Sequence, residues 1–329
     1  MILRGSYHKV YKLLVLALIS CSCSNFSKNE HPNDHVTKTI LSGVSIIVLG
    51  NVQDAGSPHI GCTKDCCKEI FEEPDKTRKV VSLGLVDPEY HKSYIFDATP
   101  DFPEQMKLLK KYSDWNESET PDGIFLTHAH IGHYTGLMYL GKEAMNANEI
   151  PVFAMPKMKS FLEQNSPWSQ LVNYKNILLI EINKRDKVVL TPSITVIPFT
   201  VPHRDEFSET VGYKIQGPNK NALFIPDIDK WSRWERSIVE EISNVDYAFL
   251  DATFYDAKEI GYRDISEIPH PFIVESMELF KELPANEKSK VYFIHLNHTN
   301  PVLNPGSPQS TLILENGFNV ARFYDVFAL

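Results

Sequence analysis

The sequence predicts one α/β domain built of two packed β-sheets with helices on the outside. Three observations carry that expectation: strand-like runs outnumber helical runs, the two kinds alternate along the chain, and no linker breaks the stretch from Thr39 to Leu329. Composition agrees, because 43% hydrophobic and 23% charged residues in a chain of 329 exclude disordered, collagen-like and coiled-coil classes. With 33 Lys plus Arg against 42 Asp plus Glu the formal charge is −9, so general nucleic-acid binding, which needs basic surface to displace counterions, is not expected.

The chain opens with Arg4, Lys9 and Lys12, then a wholly apolar run over residues 13–19, then Ser20 and Cys21. A bilayer-crossing helix needs about 20 apolar residues, so this shorter run reads as a secretory signal. Leu18, Ile19, Ser20 and Cys21 resemble a bacterial lipobox, in which the cysteine is acylated. The expected organisation is a signal peptide over residues 1–20, lipidation at Cys21, a polar tether over 21–40 and a folded domain over 41–329. It implies an exported protein, lipid-anchored to the bacterial cell envelope on its periplasmic or surface side.

Strands are expected at residues 44–49, 79–86, 94–96, 124–126, 151–154, 177–182, 188–199, 211–215, 222–225, 247–250 and 290–294, each rich in β-branched or aromatic side chains. Helical patterning marks residues 102–112, 136–147 and 273–283. Trp168, Trp231 and Trp234 are candidates for a substrate mouth, although core packing is the ordinary fate of tryptophan.

Two clusters carry chemistry. Cys62, Cys66 and Cys67 fall within six residues. A C-x3-C-C cluster can give three thiolates to one tetrahedral zinc, or a disulfide from Cys62 to Cys66 or Cys67 can form and leave one thiol free. The stronger signal is Thr127-His128-Ala129-His130-Ile131-Gly132-His133, placed between an apolar strand and a helix. A strand-end loop turns His128 and His130 to one side and brings His133 beside them, and converging neutral imidazoles suit zinc.

These residues resemble the metallo-β-lactamase superfamily, whose signature is H-x-H-x-D-H at a strand end. More narrowly they are similar to the branch of the pyrroloquinoline quinone biosynthesis B protein and the phosphonate-pathway cyclic phosphodiesterase. The narrower match rests on Gln53-Asp54-Ala55-Gly56-Ser57-Pro58, the cysteine cluster, Phe96-Asp97-Ala98-Thr99-Pro100-Asp101, the histidine motif, and His295-Leu296-Asn297-His298-Thr299-Asn300-Pro301. The resemblance implies an αββα sandwich of two mixed sheets packed face to face with outer helices. It also implies His128, His130 and His203 on a first metal, and His133 and His295 on a second. Asp227 bridges the two, with Asp229 as its rival. Zinc is the expected ion, with iron or manganese as alternatives. Gly132 stands where the signature has aspartate, so the centre either keeps two metals without that carboxylate or contracts to one. A structural zinc on Cys62, Cys66, Cys67 and His298 is implied as well.

The implied activity is hydrolysis of a small-molecule ester or phosphodiester by metal-bound hydroxide, with Asp227, His295 and His270 as catalytic candidates; for His270 an ordinary turn histidine is the competing role. Asp97 and Asp251 are expected to orient ligand histidines. A mononuclear iron protein that activates dioxygen and a non-catalytic surface lipoprotein are the alternatives. Substrate identity and oligomeric state are not encoded in these patterns.

Overall fold

The computed structural model describes residues 41–115, 117–261 and 264–329; the leader, Cys21 and the tether lie outside the described residues. Among the described residues fourteen strands follow one another as β1 (Ser45–Gly50), β2 (Ser82–Asp87), β3 (Lys92–Phe96), β4 (Gly123–Phe125), β5 (Ile150–Ala154), β6 (Ile177–Glu181), β7 (Val188–Thr191), β8 (Ile194–Thr200), β9 (Val211–Gln216), β10 (Asn221–Ile225), β11 (Tyr247–Asp251), β12 (Val291–Ile294), β13 (Asn319–Val320) and β14 (Val326–Ala328). They form two seven-stranded sheets, ordered β14-β1-β2-β3-β4-β5-β6 and β13-β12-β11-β10-β9-β8-β7. Each sheet is mixed. Strands β1 to β3 pair antiparallel and β3 to β6 parallel, while β7 to β10 pair antiparallel and β10 to β13 parallel.

The sheets face each other across an aromatic layer in which Phe96, Phe125, Tyr213, Phe224 and Phe249 are fully buried. Fully burying a side chain of this size contributes about 1.5–3 kcal/mol, so this layer is the main adhesive between the sheets. The helices used below are α1 (Asp65–Glu72), α2 (Phe102–Tyr112) and α3 (Ile131–Tyr134). Helix α2 starts with Pro103 in its first turn and lays Phe102, Met106 and Leu109 on the outer face of the first sheet. On the outer face of the second sheet Ile238, Ile242, Ile273, Phe280 and Ile313 pack together. Trp231 and Trp234 belong to that core and Trp168 to the other, so all three serve packing rather than a mouth. Strand β14 returns to β1, tying the end of the chain to its first strand.

Two expectations are corrected. The run expected as one strand over 188–199 is the hairpin of β7 and β8, turned at Pro192 and Ser193, because proline cannot donate to a ladder. Residues 136–147 do not form an α-helix: a 3₁₀ segment over Thr135–Leu140 gives way to turns. Gly136 lies so close to Thr99 that a Cβ would sit 2.2 Å from its carbonyl oxygen, and Asn146 adopts φ 48°, which stops right-handed winding.

Candidate metal centre

Six histidines from both sheets converge on one carboxylate. Asp227 follows β10, and its Oδ1 lies 3.1 Å from His270 Nδ1 and 3.2 Å from His203 Nε2. Its Oδ2 lies 3.3 Å from His128 Nε2, 3.9 Å from His130 Nδ1, 4.0 Å from His133 Nε2 and 3.9 Å from His295 Nε2. His128 and His130 sit in the loop after β4, His133 in the first turn of α3, His203 after β8 and His295 directly after β12. Strand ends thus supply the donors, and the paired sheets hold those ends in register.

Backbone strain marks two of these ends. Asp97 after β3 and His295 after β12 take φ of 66° and 65°, a left-handed conformation that costs a residue with a Cβ about 1–3 kcal/mol. Such strain persists where the surroundings impose it, here by hydrogen bonds that fix the imidazoles. Asp97 Oδ2 accepts from His133 Nδ1 at 2.8 Å and from Thr127 Oγ1 at 2.9 Å, while its Oδ1 accepts from Thr127 N at 2.8 Å. Thr127 Oγ1, having donated to Asp97, accepts from His128 Nδ1 at 3.0 Å. On the opposite sheet Thr253 Oγ1 donates to Asp251 Oδ1 at 2.7 Å and accepts from His295 Nδ1 at 2.9 Å. Asp251 Oδ2 accepts from His270 Nδ1 at 2.9 Å and from Ile228 N at 3.0 Å. With Nδ1 of each so engaged, His128, His133 and His295 turn their Nε2 atoms toward Asp227, where a bound cation would take the lone pairs.

This donor set fits metal ions. His133 Nε2, His295 Nε2 and Asp227 Oδ1 are buried without a hydrogen-bond partner, a costly state that a cation relieves. The nitrogens of His203 and His270 nearest to Oδ1 are close in distance but not aligned to donate to it. His128, His130, His203 and Asp227 each bring one donor atom within 4.8 Å of the others. Donors about 2.0–2.2 Å from a shared zinc stand roughly 3.3 Å apart, the spacing of His128 Nε2 from Asp227 Oδ2 at 3.3 Å and of His203 Nε2 from the other oxygen, Oδ1, at 3.2 Å. Asp227, Asp251, His270 and His295 form a second group sharing Asp227. Asp251 spends both oxygens on Ile228, Thr253 and His270, so it orients donors rather than competing to be one.

Charge follows the same plan. Burial and then the neighbouring His133 hold the His128 pKa well below the usual histidine value, keeping it a neutral donor. Burial opposes ionisation of Asp227, but the imidazoles of His270, His203 and His295 outweigh it and hold its pKa well below the carboxylate range. Burial also disfavours a charged His270; the Asp251 and Asp227 carboxylates reverse this and raise its pKa well above normal.

The structure places Asp227, not Asp229, at the centre, since Asp229 stands behind His203, 3.2 Å from its Nδ1, and pairs with Arg233 at 2.9 Å. It draws His270 into the centre beside Asp251 and Asp227. The Pro269-His270-Pro271 context looks like a bare turn, and only the distant carboxylates reveal the placement. Sequence patterns also left out Arg204, whose guanidinium reaches within 3.1 Å of His130 Nε2. Away from the centre, Cys62, Cys66 and Cys67 are free thiols with sulfurs within 4.8 Å of one another. His298 is outside that close set; its ring stacks on His59 at 4.5 Å, and His59 N donates to Cys67 Sγ at 3.3 Å.

The β-lactamase superfamily domain model matches residues 92–296, more than half of the chain. The chain belongs to the metallo-β-lactamase superfamily. Within it, the chain is 20% identical over 304 residues to coenzyme PQQ synthesis protein B of Methylorubrum extorquens, covering 84% of this chain and 97% of that protein. The solved structure of Zn(2+)-bound PqqB from Methylobacterium extorquens superposes with TM-score 0.70 at 19% identity, covering 87% of this chain and all of that one. A diphosphatase of the PhnP family superposes with TM-score 0.58 at 20% identity, covering 86% and 96%. The superfamily sandwich agrees with the two mixed seven-stranded sheets described above.

Proposed function

We propose that this metallo-β-lactamase superfamily member is a dinuclear metallohydrolase acting on an ester, with a phosphodiester favoured over a carboxylic ester. The observation that carries the reading is the orphaned set of His133 Nε2, His295 Nε2 and Asp227 Oδ1, buried between imidazoles whose protons are already fixed on their far sides. His128, His130 and His203 would hold one ion, His133 and His295 the other, with Asp227 between them. Zinc in such a site lowers the pKa of bound water to about 7 and polarises an ester or phosphoryl oxygen. The chain itself supplies two further functions. His270, held by Asp251 and still 14% exposed at its side chain, is positioned to pass a proton to a leaving oxygen. Arg204 at the rim offers a guanidinium to an anionic substrate. The relation to a PhnP-family diphosphatase supports the phosphoryl preference.

The test is turnover of a chromogenic phosphodiester and a chromogenic carboxylic ester by zinc-loaded protein, with His128→Ala as control and oxygen uptake followed in parallel. Phosphodiester cleavage lost in the variant is the expected result. Absence of hydrolysis in fully loaded protein, or iron-dependent oxygen uptake instead, overturns the reading.

A structural zinc on Cys62, Cys66 and Cys67 is part of the same proposal. His298 would be its fourth donor by closing on the thiols when the ion binds: burial, then the charges of His59 and Lys64, hold its pKa at about 4, so the ring is neutral. Burial first, then the adjacent sulfurs, push the Cys66 thiol up to about 12, so a bound divalent cation would have to displace its proton. Cys66→Ser is expected to lose one zinc equivalent and to lower the melting temperature, checked by elemental analysis and calorimetry. A Cys62 disulfide in metal-replete protein is the contrary result. Export and a lipid anchor at Cys21 complete the proposal and rest on the leader alone.

A further inference from the structure

Gly132 occupies the place of the superfamily aspartate, and the structure shows what fills the space beside it. A Cβ built on Gly132 would lie 1.9 Å from Asp54 Cβ, 2.4 Å from Asp54 Cα and 2.8 Å from Asp54 O. The side chain of Asp54 therefore leaves the backbone almost where the side chain of a residue 132 aspartate would begin. Asp54 Oδ1 is buried and has no hydrogen-bond partner. The loop that carries Asp54 is tied to the segment carrying His295: Gln53 N donates to Leu296 O at 2.9 Å, Leu296 N donates to Asn51 O at 2.8 Å, and Val52 bridges Leu296. Asp54 thus lies against Gly132, the neighbour of His133 in α3, on a loop tied to Leu296, the neighbour of His295.

We propose that Asp54, from the loop after β1, supplies the carboxylate that Gly132 leaves out of the histidine motif, and with His133, Asp227 and His295 completes the second metal position. The glycine is then required, because any side chain at residue 132 collides with the Asp54 backbone and Cβ. Carboxylate and glycine form one exchangeable unit: the anion has moved from the helix turn to the facing loop, and the helix gave up its Cβ to admit it. This inference rests on the two-ion centre, and the experiment separates the two.

Zinc uptake is titrated calorimetrically and counted by elemental analysis in wild type, Asp54→Asn, Gly132→Asp and the double variant Asp54→Gly/Gly132→Asp. Asp54→Asn keeps the shape and removes only the anion; it should weaken the second histidine-centre ion by at least about 10-fold, the scale on which supporting groups alone act. Gly132→Asp alone should lower the melting temperature through the collision. The double variant removes the Asp54 Cβ but leaves the residue 54 Cα 2.4 Å from the new Cβ, so the loop must shift to admit it; where it folds, the anion returned to the helix turn should restore the second ion. Asp54→Asn binding both ions as wild type does overturns the assignment, as does a folded double variant that stays at one ion. Wild type that never takes up a second histidine-centre ion overturns the two-ion centre itself, a result distinct from either.

Discussion

Asparagine in place of Asp227 is expected to empty the histidine centre and reduce turnover by at least about 10³-fold, the upper range for loss of one preorganised electrostatic group. Among the described residues, Asp227 is the one carboxylate within 4.0 Å of all six imidazoles. An amide there keeps the volume but removes the anion and turns two N–H donors toward nitrogens whose lone pairs already face inward. Against the effect of burial the Asp227 carboxylate raises the pKa of His203, and Asp251 followed by Asp227 raises that of His270, so the metal-free variant leaves His203 without its main counter-charge and His270 with only part of its own. Breaking a buried ionic set by removing one partner costs about 3–5 kcal/mol, which predicts a lower urea midpoint in the metal-free variant. Asp229→Asn is the graded comparison, because Asp229 meets only the outer nitrogen of His203 and Arg233 and its loss should weaken ion binding by about 10–100-fold rather than empty the centre. Elemental analysis, urea unfolding and turnover on the same preparations check the expectation. Retention of both ions by Asp227→Asn would remove Asp227 from the centre.

Much of this centre was legible because its donors follow strands with strong β patterning. His128, His130, His203, Asp227 and His295 each come at or shortly after the end of such a run, where a loop can aim a side chain and a sheet fixes its place. Contacts between residues far apart in the chain were not legible. The overlap of Asp54 with the space beside Gly132 joins the loop after β1 to α3, and no local pattern encodes that approach. His270 was legible as a candidate but its placement was not, for the same reason, its partners being Asp251 at the end of β11 and Asp227 just after β10. The expected helix over 136–147 failed differently: its apolar spacing is real, but Leu137 and Leu140 reach the core from a 3₁₀ turn. Helix α1 went unread because its only buried side chain is Cys67, so it lacks an apolar stripe.

The two sheets solve one problem twice. On the first, Asp97 and Thr127 fix the outer nitrogens of His133 and His128; on the second, Asp251 and Thr253 fix those of His270 and His295. Each carboxylate accepts backbone N–H groups as well, so the orientation of the donors is tied to the positions of the strand ends. Metal affinity and sandwich integrity therefore depend on the same buried groups, and a suitable pair of substitutions can pull the two apart.

Asp97 offers that pair. Alanine leaves Thr127 N and His133 Nδ1 without their acceptor inside the protein, and each buried unsatisfied donor costs about 1–3 kcal/mol. Alanine also tolerates the φ of 66° less well than aspartate, whose polar side chain bonds locally in that conformation. A loss of about 4 kcal/mol is expected, a large share of the roughly 5–15 kcal/mol that holds a typical domain together. Asparagine behaves differently, because its carbonyl still accepts from Thr127 and its shape suits the strained backbone. Its amide, however, faces His133 Nδ1, so the imidazole must carry its proton on Nε2, pointing at the metal position. Asp97→Asn is thus expected to fold nearly as wild type while ion affinity falls about 10–100-fold. The His133 imidazole reports the change directly in the metal-free state. Burial lowers its pKa, but Asp97, then Asp54 and Asp227, push it up to about 9, and losing the Asp97 charge should bring it down, as NMR titration can follow. If Asp97→Asn instead binds ions as tightly as wild type, Asp97 serves only the strand end, and the tautomer of His133 is set elsewhere.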